Sequence, residues 1–231
     1  MKAMLEVKNL SFGYGKDLVL KDVSFIYEAK DLLLILGPNG GGKSTLFKLI
    51  LGLERFSKGA INLDMKPREI GFVPQSFVFN ESYNMQVIDV VLMGQIDEKR
   101  LFFYSKKQKD IALEALARVG MADFAKRGVK ELSIGQRQRV FIARALSSSC
   151  KLLMLDEPTA SVDEVISRQI YELLARLNQE GMGIMLICHD LKEALNYASK
   201  ALLVNKTAHI HEAKDIIKRR ESLAECDSFM F

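Results

Sequence analysis

A run of glycines near the start of the chain constrains the fold more than any other feature. Residues 37–45 read Gly-Pro-Asn-Gly-Gly-Gly-Lys-Ser-Thr, which matches the pattern G-x-x-x-x-G-K-S/T in register. A continuous apolar segment at residues 32–36 precedes the run and predicts a buried strand, and a helical pattern follows at residues 43–53. Strand, glycine loop and helix in this order predict a phosphate-binding loop (P-loop) in an α/β core, with a nucleotide as the ligand.

Each residue of this loop has a predicted task. The glycines let consecutive backbone N–H groups curve around a phosphate chain, and the helix N-terminus adds partial positive charge. Lys43 is predicted to contact the β- and γ-phosphates, and Ser44 to ligate the Mg²⁺ that accompanies the nucleotide. An ordinary glycine turn into a helix is the alternative. The predicted nucleotide-binding residues of the loop are Gly37, Asn39, Gly40, Gly41, Gly42, Lys43, Ser44 and Thr45.

Composition excludes several classes of protein. With 231 residues and 48% hydrophobic content, the chain can bury a substantial core. The net charge of +4 comes without a basic block, so no nucleic-acid partner is expected. Cys150, Cys188 and Cys226 are too scattered for a disulfide framework, which favours a reducing cytoplasm. The apolar runs all fall short of the about 20 residues of a spanning helix, so a membrane role is expected only through a partner.

The pattern along the chain predicts an α/β fold, a P-loop NTPase core with a mainly parallel sheet, an N-terminal antiparallel β subdomain and an inserted α-helical lobe. Ser105 and Gln108 form a predicted capping box within the helical stretch. We expect a single domain, with the core at residues 1–75 and 150–231 and the lobe at residues 76–149. Predicted strands lie at residues 5–10, 19–27, 32–36, 60–63, 70–73, 151–155 and 183–188, and predicted helices include residues 43–53 and 165–178.

Polar residues follow four of the predicted strands: Gly37, Gln75, Asp156 and His189. Ligands bind at the carboxyl edge of open parallel sheets, so we expect these four segments to meet at one nucleotide site. His189 is one of three histidines in the chain. Its position favours contact with the γ-phosphate or with Glu157, and a structural hydrogen-bonding histidine is the alternative.

Asp156 and Glu157 form the acidic pair that phosphoryl transfer to water requires. An apolar strand that ends in aspartate is typical of a Walker B motif, in which Asp156 would hold Mg²⁺. Glu157 could then polarise the water that attacks the γ-phosphate. The alternative is a solvated acidic turn at the end of a strand, helped by Pro158.

Residues 132–139 read Leu-Ser-Ile-Gly-Gln-Arg-Gln-Arg and decide the family. With the other motifs in the expected order, the chain resembles the ATPase subunit of ATP-binding cassette (ABC) transporters over nearly its whole length. The remaining motifs are Tyr14, the loop at residues 37–45, Gln75, the Asp156–Glu157 pair, residues 161–163 and His189.

The resemblance implies roles for further residues. Tyr14 is similar to the aromatic residue that stacks on adenine, with Val19 beside it, although a loop aromatic packed on the core is the alternative. Gln75 resembles a Mg²⁺ ligand that also senses the membrane subunit. The resemblance assigns catalytic roles to Lys43, Glu157 and His189.

The resemblance also implies a second copy of the chain. Ser133, Gly135 and Gln136 are similar to the signature motif, which contacts the γ-phosphate of ATP bound to the opposite subunit, and Asp163 is similar to the aspartate that links the two sites. Two copies would therefore meet head to tail around two ATP molecules. The family has glycine where this chain has Ile134. We expect an ordinary backbone there with Ile134 pointing away, and weakened closure is the alternative.

The function implied is that of an ATPase that powers an importer, peripheral to the cytoplasmic face of the inner or plasma membrane. Its partners would be integral membrane permease subunits and, through them, a substrate-binding protein. The permease groove is expected near residues 75–94, where Phe77, Phe79, Tyr83 and Met85 could contact it or could pack within the lobe.

The segments around the motifs resemble those of bacterial uptake cassettes for zinc or manganese. A siderophore or haem importer, a non-transport ABC ATPase and a poorly hydrolysing ABC scaffold are the alternatives. His209, His211 and Cys226 could suggest metal sensing, but alternating histidines are more typical of one face of a surface strand.

Overall fold

Strands and helices alternate along much of the chain, as an α/β fold requires. The computed structural model describes residues 3–75, 84–95, 104–160, 162–188 and 191–218. The strands are β1 (Ala3–Tyr14), β2 (Asp17–Glu28), β3 (Leu32–Leu36), β4 (Lys58–Leu63), β5 (Ile70–Val73), β6 (Leu152–Asp156), β7 (Gly183–Ile187), β8 (Lys200–Asn205) and β9 (Thr207–Glu212). The helices are α1 (Lys43–Ile50), α2 (Val87–Leu92), α3 (Lys106–Arg118), α4 (Ile134–Leu146), α5 (Glu164–Gln179) and α6 (Leu191–Ala194).

The chain divides into two compact units. Met1–Met65 with Leu174–Phe231 form the first unit, and Lys66–Leu173 form the second. The division into a core and an inserted lobe at residues 76–149 stays a prediction.

The first unit begins with an antiparallel sheet in the order β2–β1–β4. Val23, Phe25 and Tyr27 of β2 are buried, while the residues between them are exposed. This alternation is typical of an antiparallel strand with one face on the core. The N-terminal antiparallel part of the fold was predicted correctly, although β1 and β2 are longer than expected.

β3 is buried along its whole length and lies between β7 and β8, both of which run parallel to it. Its residues are leucine or isoleucine throughout, the continuous apolar run expected of a strand covered on both faces. β9 pairs antiparallel with β8. Because β3 ends at Leu36, the glycine loop starts at the carboxyl edge of these parallel strands.

The second unit pairs β5 and β6 in parallel, with Val73 opposite Leu155. The chain therefore leaves both strands at the same edge. The predicted capping box of α3 is confirmed: Ser105 N donates to Gln108 Oε1 at 2.9 Å, and Gln108 N donates to Ser105 Oγ at 3.3 Å. α2, α3 and α4 each bury an apolar face.

The first helix is shorter than the predicted residues 43–53. α1 ends at Ile50 because Gly52 adopts a left-handed conformation with φ of 71°. Leu53 N donates to Lys48 O at 2.8 Å and Gly52 N donates to Leu49 O at 3.1 Å, the paired bonds of a Schellman motif. Gly52 was available as a stop signal in the sequence. β8 was not predicted, and β9 was indicated only by the alternation of His209 and His211.

Candidate functional site

The backbone conformation of the glycine loop requires glycine at three positions. Gly37, Gly40 and Gly42 have φ of 149°, 76° and 102°, a region that favours glycine. A Cβ at Gly37 would collide with the carbonyl oxygen of Val204, and one at Gly42 would lie 2.6 Å from Leu20 Cδ2. These residues thus let the loop turn tightly between β3 and α1.

The side chain of Lys43 forms hydrogen bonds back to the start of the glycine loop. Its ammonium group donates to the carbonyl oxygens of Gly37 and Pro38 at 2.8 and 3.0 Å, and the residue is 5% exposed. Ser44 is exposed and Thr45 half-buried in the first turn of α1. The loop therefore places a cation and an accessible hydroxyl at the N-terminus of a helix, where backbone N–H groups already favour an anion.

The turn between β8 and β9 forms a hydrogen bond to the glycine loop, and this contact was not predicted from the sequence. Lys206 N donates to Gly41 O at 3.0 Å, and Lys206 O accepts from Lys21 N at 2.7 Å. Lys206 has a φ of 58°, which permits this tight turn. Asn39 lies exposed at the tip of the loop.

Tyr14 lies at the end of β1 in the same unit, half-exposed at 46%. Its ring meets Phe12 edge-to-face at 4.9 Å, and its hydroxyl donates to Glu54 at 3.3 Å. The predicted neighbour Val19 lies close to the loop, since a Cβ at Gly42 would be 3.2 Å from Val19 O. An exposed aromatic face on the strands that flank a phosphate loop is suited to stacking on a base.

The second unit brings two other predicted residues together. Gln75 follows β5, and its amide nitrogen donates to Glu157 Oε2 at 2.6 Å. Asp156 ends β6 and is 9% exposed. The parallel pairing of β5 and β6 places these groups at one edge, as predicted from the strand ends.

Glu157 has an unusual backbone. Its φ is 50°, in the left-handed region that few residues other than glycine adopt. Such conformations cluster at functional sites, because the surrounding structure has to impose them. In the acidic pair, Asp156 is nearly buried and the Glu157 carboxylate is bonded to Gln75.

The predicted signature residues form the N-terminus of α4. Ser133 Oγ accepts from Gln136 N at 3.2 Å, and Gln136 Oε1 accepts from Ser133 N at 3.0 Å. This is a capping box that sequence reasoning missed, although it has the same Ser-x-x-Gln spacing as the box at α3. Ile134 is 51% exposed and has no positive φ. The expectation of an ordinary backbone at this position is confirmed.

Gly135 is buried against α5. A Cβ there would overlap Ile166 Cγ2. Asp163 caps α5, because its Oδ1 accepts from Ile166 N at 2.9 Å. Arg139 Nη2 donates to Gln169 Oε1 at 2.7 Å, a second link from α4 to α5. A cavity of about 290 Å³ beside the signature residues is lined by Gly120, Met121, Phe124, Ser133, Gly135, Gln136, Arg139, Ile166 and Gln169.

Some predicted residues lie outside the part of the chain that the structure describes: His189, Ser161, Phe77, Phe79, Tyr83 and Cys226. Their roles stay predictions. His209 and His211 lie on β9, which confirms the strand interpretation, and the described residues contain no cluster of metal-ligating side chains. Among the described helices, none has the length and apolar character to cross a membrane.

A glycine loop after one parallel strand and an acidic pair at the end of another define a P-loop nucleoside triphosphatase. Residues 20–160, more than half of the chain, match the family described as ABC transporter. The chain belongs to the ABC transporter family, which confirms the resemblance carried by its motifs. It is accordingly an ATP-binding and ATP-hydrolysing subunit.

Among the relatives that match most of the chain are two metal uptake proteins. The zinc uptake system ATP-binding protein ZurA of Listeria monocytogenes is 41% identical over 235 aligned positions, which cover 96% of this chain and 91% of the relative. The manganese transport system ATP-binding protein MntB of Bacillus subtilis is 40% identical over 208 positions, covering 87% of this chain and 83% of the relative.

Solved structures that share the fold include the following two. One is a transporter assigned to the metal-chelate type in an inward-facing conformation, with a TM-score of 0.85, 34% identity, and coverage of 93% of this chain and 85% of that chain. The other is a dimeric ATP-binding cassette in a post-hydrolysis state bound to ADP and phosphate, with a TM-score of 0.72, 25% identity, and coverage of 91% and 99%. The predicted fold class is confirmed.

Proposed function

We propose that this ATPase powers an importer for a divalent metal ion, zinc or manganese. The observation that carries the proposal is the 41% and 40% identity to a zinc and a manganese uptake protein, each over most of its length. The cargo passes through other subunits, so relatives rather than site residues support its identity.

The nucleotide would lie on the glycine loop with adenine against Tyr14 and Val19. Lys43 is held across the loop and can contact the terminal phosphates once they arrive. Mg²⁺ prefers hard oxygen ligands, and Ser44, Gln75 and Asp156 offer a hydroxyl, an amide oxygen and a carboxylate. The donor set therefore fits Mg²⁺, which would neutralise phosphate charge when bound.

Hydrolysis would depend on Glu157. The amide nitrogen of Gln75 donates to Glu157 Oε2 at 2.6 Å. The left-handed backbone of Glu157 fixes the direction in which its side chain projects. From this position Glu157 can orient a water molecule and accept its proton, while Lys43 and His189 stabilise charge at the γ-phosphate. We assign Glu157, Lys43 and His189 as the catalytic residues.

The working unit would be a head-to-tail dimer of this chain. Ser133, Gly135 and Gln136 form the capped N-terminus of α4, with Ser133 exposed, and a helix N-terminus favours the γ-phosphate of ATP held by a second copy. Asp163 lies at the start of α5, which packs on Gly135 through Ile166. The dimeric cassette with ADP and phosphate supports this arrangement.

Permease subunits would dock on the second unit, with the chain peripheral at the cytoplasmic face of the membrane and a substrate-binding protein reached indirectly. The predicted lobe at residues 76–149 contributes to a groove of about 710 Å³ there. Apolar side chains from β5, from the segment after α2 and from α3 line it, together with two arginines. Its lining includes Arg68, Ile70, Phe72, Met93, Gly94, Ile111 and Arg144.

A siderophore or haem importer is the second candidate, favoured by the structural similarity to a metal-chelate type transporter. Copurification of membrane subunits with the tagged chain, followed by reconstitution in vesicles, separates the two. We expect ATP-dependent uptake of ⁶⁵Zn or ⁵⁴Mn. Uptake of a ferric chelate or haem without either free ion would contradict the metal-ion proposal, and a chain that copurifies with no membrane subunit would contradict the transport role.

A further inference from the structure

The turn that carries Glu157 is unusually constrained. β6 ends at Asp156, Glu157 follows with its φ of 50°, and Ala160 N donates back to Glu157 O at 3.2 Å. Pro158 in the middle of this turn is buried. A glutamate in this conformation persists only where surrounding contacts over-determine it, because the left-handed region is costly for a residue with a side chain.

One of those contacts comes from α5. The hydroxyl of Tyr171 lies 3.0 Å from Thr159 Oγ1, within hydrogen-bonding distance, and Thr159 is two residues after Glu157. Tyr171 is 1% exposed. Phenylalanine would fill the same space without a polar atom, and a buried phenol requires a partner. The hydroxyl therefore links the turn to α5.

The helix that carries Tyr171, α5, is capped at its N-terminus. Asp163 directly precedes α5 and caps it: its Oδ1 accepts from Ile166 N and its carbonyl oxygen accepts from Ser167 N, each at 2.9 Å. Tyr171 lies about two turns further along the helix. Thr159 is thus held to a capped helix on one side, while β6 holds the start of the turn on the other.

From this geometry we infer that Tyr171 is a positioning residue for Glu157, acting through its hydrogen bond to Thr159. The inference rests on the proposed catalytic role of Glu157. Because Tyr171 is 1% exposed, its role is to fix the turn and not to bind nucleotide. Loss of its hydroxyl lets Glu157 sample backbone conformations in which its carboxylate no longer meets Gln75 and the attacking water together.

The test removes each hydroxyl without removing volume. We expect Tyr171→Phe and Thr159→Val to lower kcat for ATP about three- to tenfold, the kinetic equivalent of one hydrogen bond, with KM for ATP within about twofold of the parent. The double variant is expected to lower kcat by less than the product of the two single effects, because both substitutions remove the same bond. Thr159→Ser keeps the hydroxyl and restores kcat.

Tyr27→Phe is the matched control. Tyr27 is also fully buried, and its hydroxyl donates to Asp31 O at 2.9 Å in the first unit. Both phenylalanine variants are expected to lower the urea midpoint of unfolding by similar amounts, but only Tyr171→Phe lowers kcat. Equal kcat for Tyr171→Phe, Tyr27→Phe and the parent would overturn the positioning role.

Glu157→Gln separates this inference from the assignment on which it rests. If Glu157→Gln is inactive while Tyr171→Phe is fully active, Glu157 keeps its role and the positioning by Tyr171 is wrong. If Glu157→Gln hydrolyses ATP at the parent rate, the catalytic assignment itself is wrong, and the inference about Tyr171 is overturned with it.

Discussion

Gly135 packs tightly against α5, so its replacement by alanine tests quantitatively how α4 packs on α5 beside the signature residues. A Cβ at position 135 would overlap Ile166 Cγ2 and lie 3.4 Å from Ile166 Cδ1. Because Cγ2 is fixed on the branched Cβ of Ile166, the isoleucine has to change rotamer or the helices have to separate. Overpacking of this kind costs about 1–3 kcal/mol, and the better helix propensity of alanine offsets up to about 1 kcal/mol. We expect Gly135→Ala to lower the unfolding free energy by about 1–2 kcal/mol.

A double-mutant cycle isolates the contact. Ile166→Ala removes Cγ2, so Gly135→Ala should carry no such penalty in that background. We expect a coupling energy of about 1–2 kcal/mol from urea unfolding of the parent, the two single variants and the double variant, followed by circular dichroism. Additive effects, within about 0.5 kcal/mol, would refute the packing of Gly135 on Ile166.

Three further predictions concern single residues. Tyr14→Ala should raise KM for ATP about tenfold through lost stacking, while Tyr14→Phe should not, and an unchanged KM for Tyr14→Ala would remove Tyr14 from the base site. Ile134→Gly should change ATPase activity by less than about twofold, because Ile134 is half-exposed on an ordinary backbone, and a tenfold gain would show that it impedes closure. Burial raises the pKa of Cys150 to about 11, so at pH 8 about one thiol in a thousand is ionised and iodoacetamide should label Cys150 only after unfolding, as peptide mass spectrometry can establish.

The structural features that were predicted correctly from the sequence are those that short stretches of neighbouring residues determine. The glycine loop, the buried run of β3 and the capping box at Ser105 depend on neighbouring residues, and the structure has each of them where it was expected. The capping box at Ser133 and the helix stop at Gly52 were equally local, and the spacing was present in the sequence for both.

Contacts between distant segments explain what the sequence could not predict. The bond from Lys206 to Gly41 joins residues 165 positions apart, and Tyr171 reaches Thr159 only because α5 folds back along the turn. Neither contact follows a spacing rule. The left-handed backbone of Glu157 belongs to the same group, since propensity alone disfavours glutamate in that region.

Steady-state ATP hydrolysis by Glu157→Gln is the most direct test of the central claim that Gln75 and the turn after β6 hold the catalytic carboxylate. The amide keeps the shape of the side chain but cannot accept the proton of water. We predict that the variant binds ATP with affinity similar to the parent and that its kcat is lower by about 10²- to 10⁴-fold. A variant that turns over ATP within a few-fold of the parent would contradict the account.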